Sequence, residues 1–424
     1  VPQPDQSCFV FIQLPGTYEW AICGALRVRE VGRGSFLGTF VYGQSYLKRQ
    51  NVAALDAFHL PLSDRLQEFT RLKGIPGALR DASPDAWGRR VIQAKLDRSE
   101  ADISEVDYLL NGPDDGAGNL RFSPDKKTPG APRPFNRTHQ LQALVDAAQT
   151  LEEEGKLPFE VLEQLEPGTS MGGARPKVTI EDGQKVWLTK LPEKGDRYNM
   201  QRVEYATLEL ARAAGLNVCG TRIETVGNAN ALMLERFDRE WNPDAKAYAR
   251  YGLVSGLTVL DAEEGYQGRD RWSYLLLADE LRRWSADPRA DRLELFRRMV
   301  FNAMVTNNDD HPRNHALLQR DGKWRLSPAY DIVPTPMVSQ ERRDLALEAG
   351  AFGRAASRYN LATRAEVFGL TREQANAEID RIRAVVGEWR NLFLQHGVSR
   401  KDIEVMEQAI LPASFERTEP PEAV

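Results

Sequence analysis

The sequence predicts an α+β fold with a β-rich amino-terminal subdomain and a mainly helical carboxy-terminal part. Three observations carry this. Short β-type runs separated by turn residues fill the first 60 positions: Cys8 to Leu14, Ala21 to Val28 and Gly38 to Tyr42. A second β-type pair, Lys177 to Ile180 and Lys185 to Leu191, flanks the turn Glu181-Asp182-Gly183-Gln184. From about Trp272 onward the apolar residues recur at three and four instead of two.

The first runs read as a small antiparallel sheet. From Leu62 to Leu110 the pattern is helical, with Ser83-Pro84-Asp85 as a helix start that places Pro at the first position. Residues 122 to 137 hold four prolines and no periodicity, which marks a connector. A helix is expected from His139 to Gly155. Gly168-Thr169-Ser170-Met171-Gly172-Gly173-Ala174-Arg175-Pro176-Lys177 is then a glycine-rich loop feeding the hairpin. Met200, Val203, Ala206, Leu210 and Ala214 give a helix over Tyr198 to Ala214, stopped by Gly215, and Ala231 to Leu234 is an apolar strand. Further on, Leu293, Phe296, Met299, Val300 and Met304 share one stripe. Thr371 and Gln374 form a capping box ahead of a face made by Ala375, Ile379, Ile382, Val386, Trp389 and Phe393. The organisation expected is 1–135 for the β-rich subdomain with covering helices, 136–238 for a part that binds nucleotide, and 239–424 for a helical lobe.

Composition narrows the function classes. A chain of 424 residues has room for two to three domains of about 150 residues. Lys and Arg number 56 against 61 Asp and Glu, a net charge of −5, so a nucleic-acid binder working through a basic surface over its whole length is excluded. Arg80, Arg89 and Arg90 form one local basic group, read as a solvated helix face before a docking patch. Cys8, Cys23 and Cys219 are odd in number and far apart, which argues against a disulfide framework or a thiolate metal site and for the reducing cytoplasm. No apolar run reaches the ~18 residues of a membrane span, so no membrane association is expected.

The segment richest in chemistry is Asn307-Asn308-Asp309-Asp310-His311-Pro312-Arg313-Asn314, followed by the Asp321-Gly322 turn and then Tyr330-Asp331-Ile332. An Asp separated by four residues from an Asn, a hairpin, and a second Asp reproduce the layout of a kinase catalytic loop with its metal-binding Asp. Asp309 would orient the attacking hydroxyl and accept its proton, while Asn314 and Asp331 would offer hard oxygen ligands to Mg2+. The competing account is that Asn, Asp and Pro gather here because loops favour them. The second Asp beyond a hairpin weighs against it. Gly172 and Gly173 leave room for backbone N–H groups to approach phosphates of ATP. Lys190 shares a strand face with Val186 and Leu188, and could pair with phosphates and with Glu204 or Glu209 on the following helix. The strand ending at Glu235, Arg236, Phe237 and Asp238 stands where two kinase lobes join, so its backbone could meet the adenine edge. His311 and His315 are four apart, but Pro312 between them makes a helical zinc pair unsuitable.

These motifs together resemble the HipA serine/threonine kinases of bacterial toxin–antitoxin modules. The resemblance rests on Ser170 to Lys177, Leu188 to Pro192, Leu234 to Arg239, Asn308 to Asn314 and Tyr330 to Ile332, and extends to Leu79 to Asp85 and Asp114 to Gly118. It implies a two-lobed, protein-kinase-like fold with an extra amino-terminal β-rich subdomain, using ATP and Mg2+. Carried over residue by residue, Asp309 and His311 are catalytic. Ser170, Met171, Gly172, Gly173, Lys190, Glu235, Phe237, Asp238 and Tyr330 bind nucleotide, and Asn314 and Asp331 hold the metal. It further implies autophosphorylation at Ser170, beside which Thr169 offers a second hydroxyl. A protein of the translation machinery as substrate, and a small helix-turn-helix antitoxin of HipB type that carries the complex to operator DNA, are implied in the same way. Two other classes share part of the pattern: small-molecule kinases of the aminoglycoside and choline kinase type, whose phosphate loop differs, and a non-catalytic corepressor, which need not keep Lys190, Asp309, Asn314 and Asp331 together.

Overall fold

β1 (Gln6–Gln13), β2 (Trp20–Gly32) and β3 (Ser35–Tyr42) form an antiparallel meander; buried residues alternate along β3 and most of β2, whereas Val10 to Gln13 of β1 are all buried, across a register shift at Val10 and Phe11. This is a computed structural model, and it describes residues 6–32, 34–127, 134–165, 173–336 and 343–420. After the short α1 (Gln44–Leu47) comes β4 (Gln67–Phe69), which completes one edge, while the later β5 (Leu120–Ser123) pairs with β1. The five-stranded order is β4-β3-β2-β1-β5. Val10, Cys23, Leu26 and Phe40 are fully buried in it.

The helical reading of Leu62 to Leu110 holds only from residue 77. Leu62 and Leu66 are exposed, so no apolar stripe is buried there, and Leu72, Lys73 and Gly74 take positive φ values that no helix accommodates. α2 (Gly77–Asp81), α3 (Ala86–Leu96) and α4 (Glu105–Asn111) follow. Pro84 lies outside α3; Asp85 is its N-cap and accepts from the Gly88 N–H at 2.9 Å. α5 (Leu141–Glu154) ends on left-handed Gly155 and precedes α6 (Phe159–Leu165). β6 (Lys177–Asp182) and β7 (Lys185–Lys190) pair in register through a turn in which Gly183 and Gln184 both have positive φ, the geometry that twists with a two-residue hairpin.

Next come α7 (Met200–Ala213), capped by Asn199, and the antiparallel pair β8 (Thr221–Val226) and β9 (Ala229–Glu235). β10 (Arg239–Asn242) pairs with β11 (Ala247–Arg250), ahead of β12 (Gly252–Ser255) and α8 (Gly256–Val259). α9 (Tyr274–Trp284) and α10 (Pro288–Met304) pack on one another. β13 (Ala316–Arg320) and β14 (Lys323–Leu326) flank the Asp321-Gly322 turn, and α11 (Arg358–Leu361) precedes the last three helices. Those are α12 (Arg372–Val386), with the expected Thr371–Gln374 capping box, α13 (Trp389–Gln395) and α14 (Arg400–Met406). The single face expected from Ala375 to Phe393 is buried throughout, but the helix breaks at Gly387 and Glu388.

The chain forms two compact units. One comprises Val1–Glu193, Glu235–Glu263 and Leu317–Lys323; the other comprises Lys194–Leu234, Glu264–Ala316 and Trp324–Val424. The α+β class is as the sequence predicts. Cys8, Cys23 and Cys219 are free and buried. No helix among the described residues is long and apolar enough to cross a membrane.

Candidate active site

The second unit carries the Asn307 to Asn314 loop. α10 stops because Thr306 adopts a left-handed conformation (φ 52°) and the Asn307 N–H returns to the Asn302 carbonyl at 2.9 Å, closing the helix end. A β-branched residue in that region is strained, and such strain gathers at functional sites. Thr306 is held there by Arg343, whose Nη1 donates to Oγ1 at 2.8 Å.

The chain then reverses tightly. The His311 N–H donates to the Asp309 carbonyl at 2.8 Å and the Asn314 N–H to the His311 carbonyl at 2.9 Å. Asn314 Nδ2 donates to the same Asp309 carbonyl at 3.2 Å. That bond fixes the amide's orientation and leaves Oδ1 buried without a hydrogen-bond partner. Buried oxygens ordinarily find a donor, so an orphan here calls for an ion or water. Asp309 itself is exposed. His311 is half-buried with an unpartnered Nδ1, its ring 6.3 Å from that of Trp272.

The Ser327 N–H donates to the Ala316 carbonyl at 2.8 Å, and the chain from there leads to Tyr330. The Tyr330 hydroxyl donates to the Arg313 carbonyl at 2.6 Å, tying the residue before Asp331 to the residue before Asn314. Asp331 takes φ 56°, a second strained position in the same unit. An Asn amide oxygen and an Asp carboxylate are both hard oxygen donors and fit Mg2+. Among the described residues no group of three or more His, Cys, Asp or Glu could hold a metal, so a cation site here would rest on this mixed pair.

The first unit carries the glycine-rich loop's exit and the strand lysine. Ser170, Met171 and Gly172, with Thr169, lie outside the described residues; Gly173 is exposed. Lys190 sits opposite Lys177 across the hairpin, so the two share a face. Lys177, which sequence reasoning left without a role, is fully buried. Its Nζ donates to Asp85 Oδ2 at 2.7 Å and to the Gly173 carbonyl at 2.6 Å. One carboxylate thus caps α3 and anchors the loop exit. Glu235 pairs with Lys185 at 2.7 Å, and the Phe237 carbonyl accepts from Arg320 at 3.1 Å. Of the two helix glutamates, Glu209 is engaged by Arg212 at 3.3 Å, and Glu204 is buried on α7.

Two motifs turn out to be partners. Arg236 and Arg239 reach into the Asp114 to Gly118 turn, donating to the Asp115 carbonyl at 2.6 and 3.1 Å and to the Gly116 carbonyl. Asp238 is buried between them, accepts from the Gly118 N–H at 2.8 Å, and is held well below the usual carboxylate range: burial raises it, and Arg236 and Arg239 more than offset that. Its carboxylate therefore serves the cluster.

The basic group also needs correction. Arg80 and Arg89 are not a solvated face; both converge on buried Glu105, with Arg89 Nη2 at 2.6 Å. Three cations meet at Glu105, since Lys73 also lies at 3.1 Å. Only Arg90 stays on the surface, at 3.4 Å from Glu152.

Comparison with known proteins agrees with this layout. Residues 169–389 match the family model described as the HipA-like C-terminal domain, which covers half of the chain, and the protein belongs to that family. A chain of the solved complex of Shewanella oneidensis HipA, HipB and operator DNA has the same fold. The TM-score is 0.68 at 17% identity, over 95% of this chain and 94% of that one. The fold is thus the α+β fold of that HipA chain. Y4mE of Sinorhizobium fredii, provisionally named a kinase, is 26% identical over 70% of this chain and 72% of its own length. The serine/threonine-protein kinase toxin HipA of Shewanella oneidensis is 24% identical over 260 residues, so the match spans 55% of this chain and 57% of that protein.

Proposed function

We propose that the protein is an ATP- and Mg2+-dependent serine/threonine protein kinase. It acts in the cytoplasm as a growth-arresting toxin on a protein of the translation machinery, and is neutralised by a helix-turn-helix antitoxin that supplies operator binding. The observation that carries the kinase reading is the Asn314 amide, held by its nitrogen on the Asp309 carbonyl so that Oδ1 is buried and unpartnered beside an exposed Asp309. Loop statistics alone do not produce an oriented, unsatisfied ligand oxygen.

Asp309 accepts the proton of a serine or threonine hydroxyl as its oxygen bonds to the γ-phosphorus and the bond to the β,γ-bridging oxygen breaks. Mg2+, held by Asn314 and Asp331, would neutralise charge on the phosphates. Lys190 adds a cation from the hairpin, and Glu235 and Phe237 lie in the segment that would border the adenine. Autophosphorylation at Ser170 would put about two negative charges in the phosphate loop and repel ATP.

The resemblance to HipA supports the antitoxin partnership, as does the charge of the chain. The net charge is −5, and with Arg80 and Arg89 committed to Glu105 the local basic group leaves only Arg90 to meet DNA. Incubating the chain with labelled MgATP and a cell lysate should label one or a few proteins. Asp309→Asn should fold as the parent does and transfer no label; transfer at the parent rate would refute the assignment.

A further inference from the structure

We propose that Asp310 is the positioning residue of the catalytic loop, acting with Tyr274 and His315 to hold Asp309 and Asn314 in place. The inference rests on the kinase reading for its consequence in turnover, and on the hydrogen-bond geometry alone for its structural part. The two adjacent aspartates divide their labour by burial. Asp309 is exposed, whereas Asp310 is 2% exposed and belongs to no step of the chemistry.

Asp310 Oδ2 is reached from both sides. The Tyr274 hydroxyl, at the start of α9, donates to it, and His315 Nε2 lies 3.1 Å away at the far end of the loop. Tyr274 is itself fixed: its oxygen accepts from Asn302 Nδ2 at 3.0 Å, on α10. Asn302 Oδ1 accepts from Asn307 Nδ2 at 3.1 Å, at the near end of the loop. The Tyr274 and His315 rings stand edge to face with centroids 5.4 Å apart. Each of these five residues is at most 2% exposed.

The loop is therefore fastened at its beginning, middle and end to two helices that pack on one another. A buried carboxylate is tolerated only when its lone pairs are satisfied. Here the donors come from separate elements, so satisfying Asp310 fixes the elements as well. The peptide that precedes Asp310 belongs to Asp309, and the Asp309 carbonyl carries the Asn314 side chain. A rotation that released Asp310 would move both groups, and a misplacement near 1 Å can cost about 10²-fold in rate.

The test is Tyr274→Phe, which removes one hydroxyl and keeps the ring, with Asp310→Asn beside it. Two readouts are taken: steady-state kinetics, and amide hydrogen exchange of residues 307–315. Tyr274→Phe should lower kcat by about 10- to 100-fold, leave KM for ATP within about threefold, and speed exchange in residues 307–315 beyond the rest of the chain, with the modest fall in thermal midpoint that one lost buried hydrogen bond brings. Asp310→Asn should do the same, and the double variant should lose less than the product of the two. Parent turnover with parent protection in Tyr274→Phe would overturn the proposal. So would loss of turnover accompanied by equal loss of MgATP affinity, or by exchange that quickens equally throughout the chain, since a merely structural residue gives that result. If Asp310→Asn fails to fold, Tyr274→Phe decides alone. A parent chain with no phosphotransfer, equalled by Asp309→Asn, would sink the kinase reading, while the exchange arm would still decide whether the Asp310 hub holds the loop.

Discussion

Replacing Glu105 by Gln should destabilise the protein by about 3 kcal/mol at neutral pH and by roughly half that at pH 3. Burial alone would push this carboxyl up; the Arg89 hydrogen bond and the charges of Arg80, Arg89 and Lys73 more than offset that and bring it from 4.5 down to about 2. The folded-state value lies below the unfolded one. The stability it confers is therefore fully present above about pH 4.5 and is lost as pH falls toward 2. A gap of about 2.5 units is worth about 3 kcal/mol at ~1.4 kcal/mol per unit. The magnitude is credible because Glu105 is 6% exposed and because removing one member of a buried ion cluster leaves the other charges unpaired. Urea denaturation followed by circular dichroism, on parent and Glu105→Gln at pH 7, 4 and 3, reads the difference directly. An equal difference at all three values would refute the linkage and assign the loss to packing. No difference at pH 7 would remove the cluster from the stability account altogether.

Three further outcomes are expected. Asp331→Ala should weaken Mg2+-dependent nucleotide binding by an order of magnitude or more, and calorimetric titration of MgATP returning the parent affinity would count against the metal assignment. Incubation with MgATP should place phosphate on Ser170 by mass spectrometry, and the modified form should bind nucleotide more weakly; phosphate confined to Thr169 would redirect the idea. In gel shifts the chain alone should bind operator DNA weakly and without sequence preference, and tightly only with its antitoxin; tight specific binding by the isolated chain would reverse that division.

Much of this molecule is legible from residue pattern because the features concerned are local. The meander of β1 to β3, the Asp-Gly hairpin after Lys177, the Asn199-capped α7 and the Thr371 capping box each depend on residues within a few positions of one another. What was misread depends on partners far along the chain. Arg80 and Arg89 read as a solvated basic face because nothing in the sequence shows that Glu105 will stand between them. Leu62 and Leu66 read as helix because apolar spacing carries no record of exposure. The contacts of Asp238 and Arg236 are equally non-local, since both close on the Asp114 to Gly118 turn some 120 residues upstream.

The same distinction separates Asp309 from Asp310. Spacing to Asn314 singles out the first, since the motif counts positions along one loop. Nothing local singles out the second, because its meaning comes from Tyr274, 36 residues earlier, and from an Asn302 to Asn307 link that appears only once α10 has ended on Thr306. A chemistry-bearing residue must meet its substrate and so keeps a recognisable local frame. The residue that holds it steady draws its partners from whichever helices pack nearby, and its signature exists only in three dimensions.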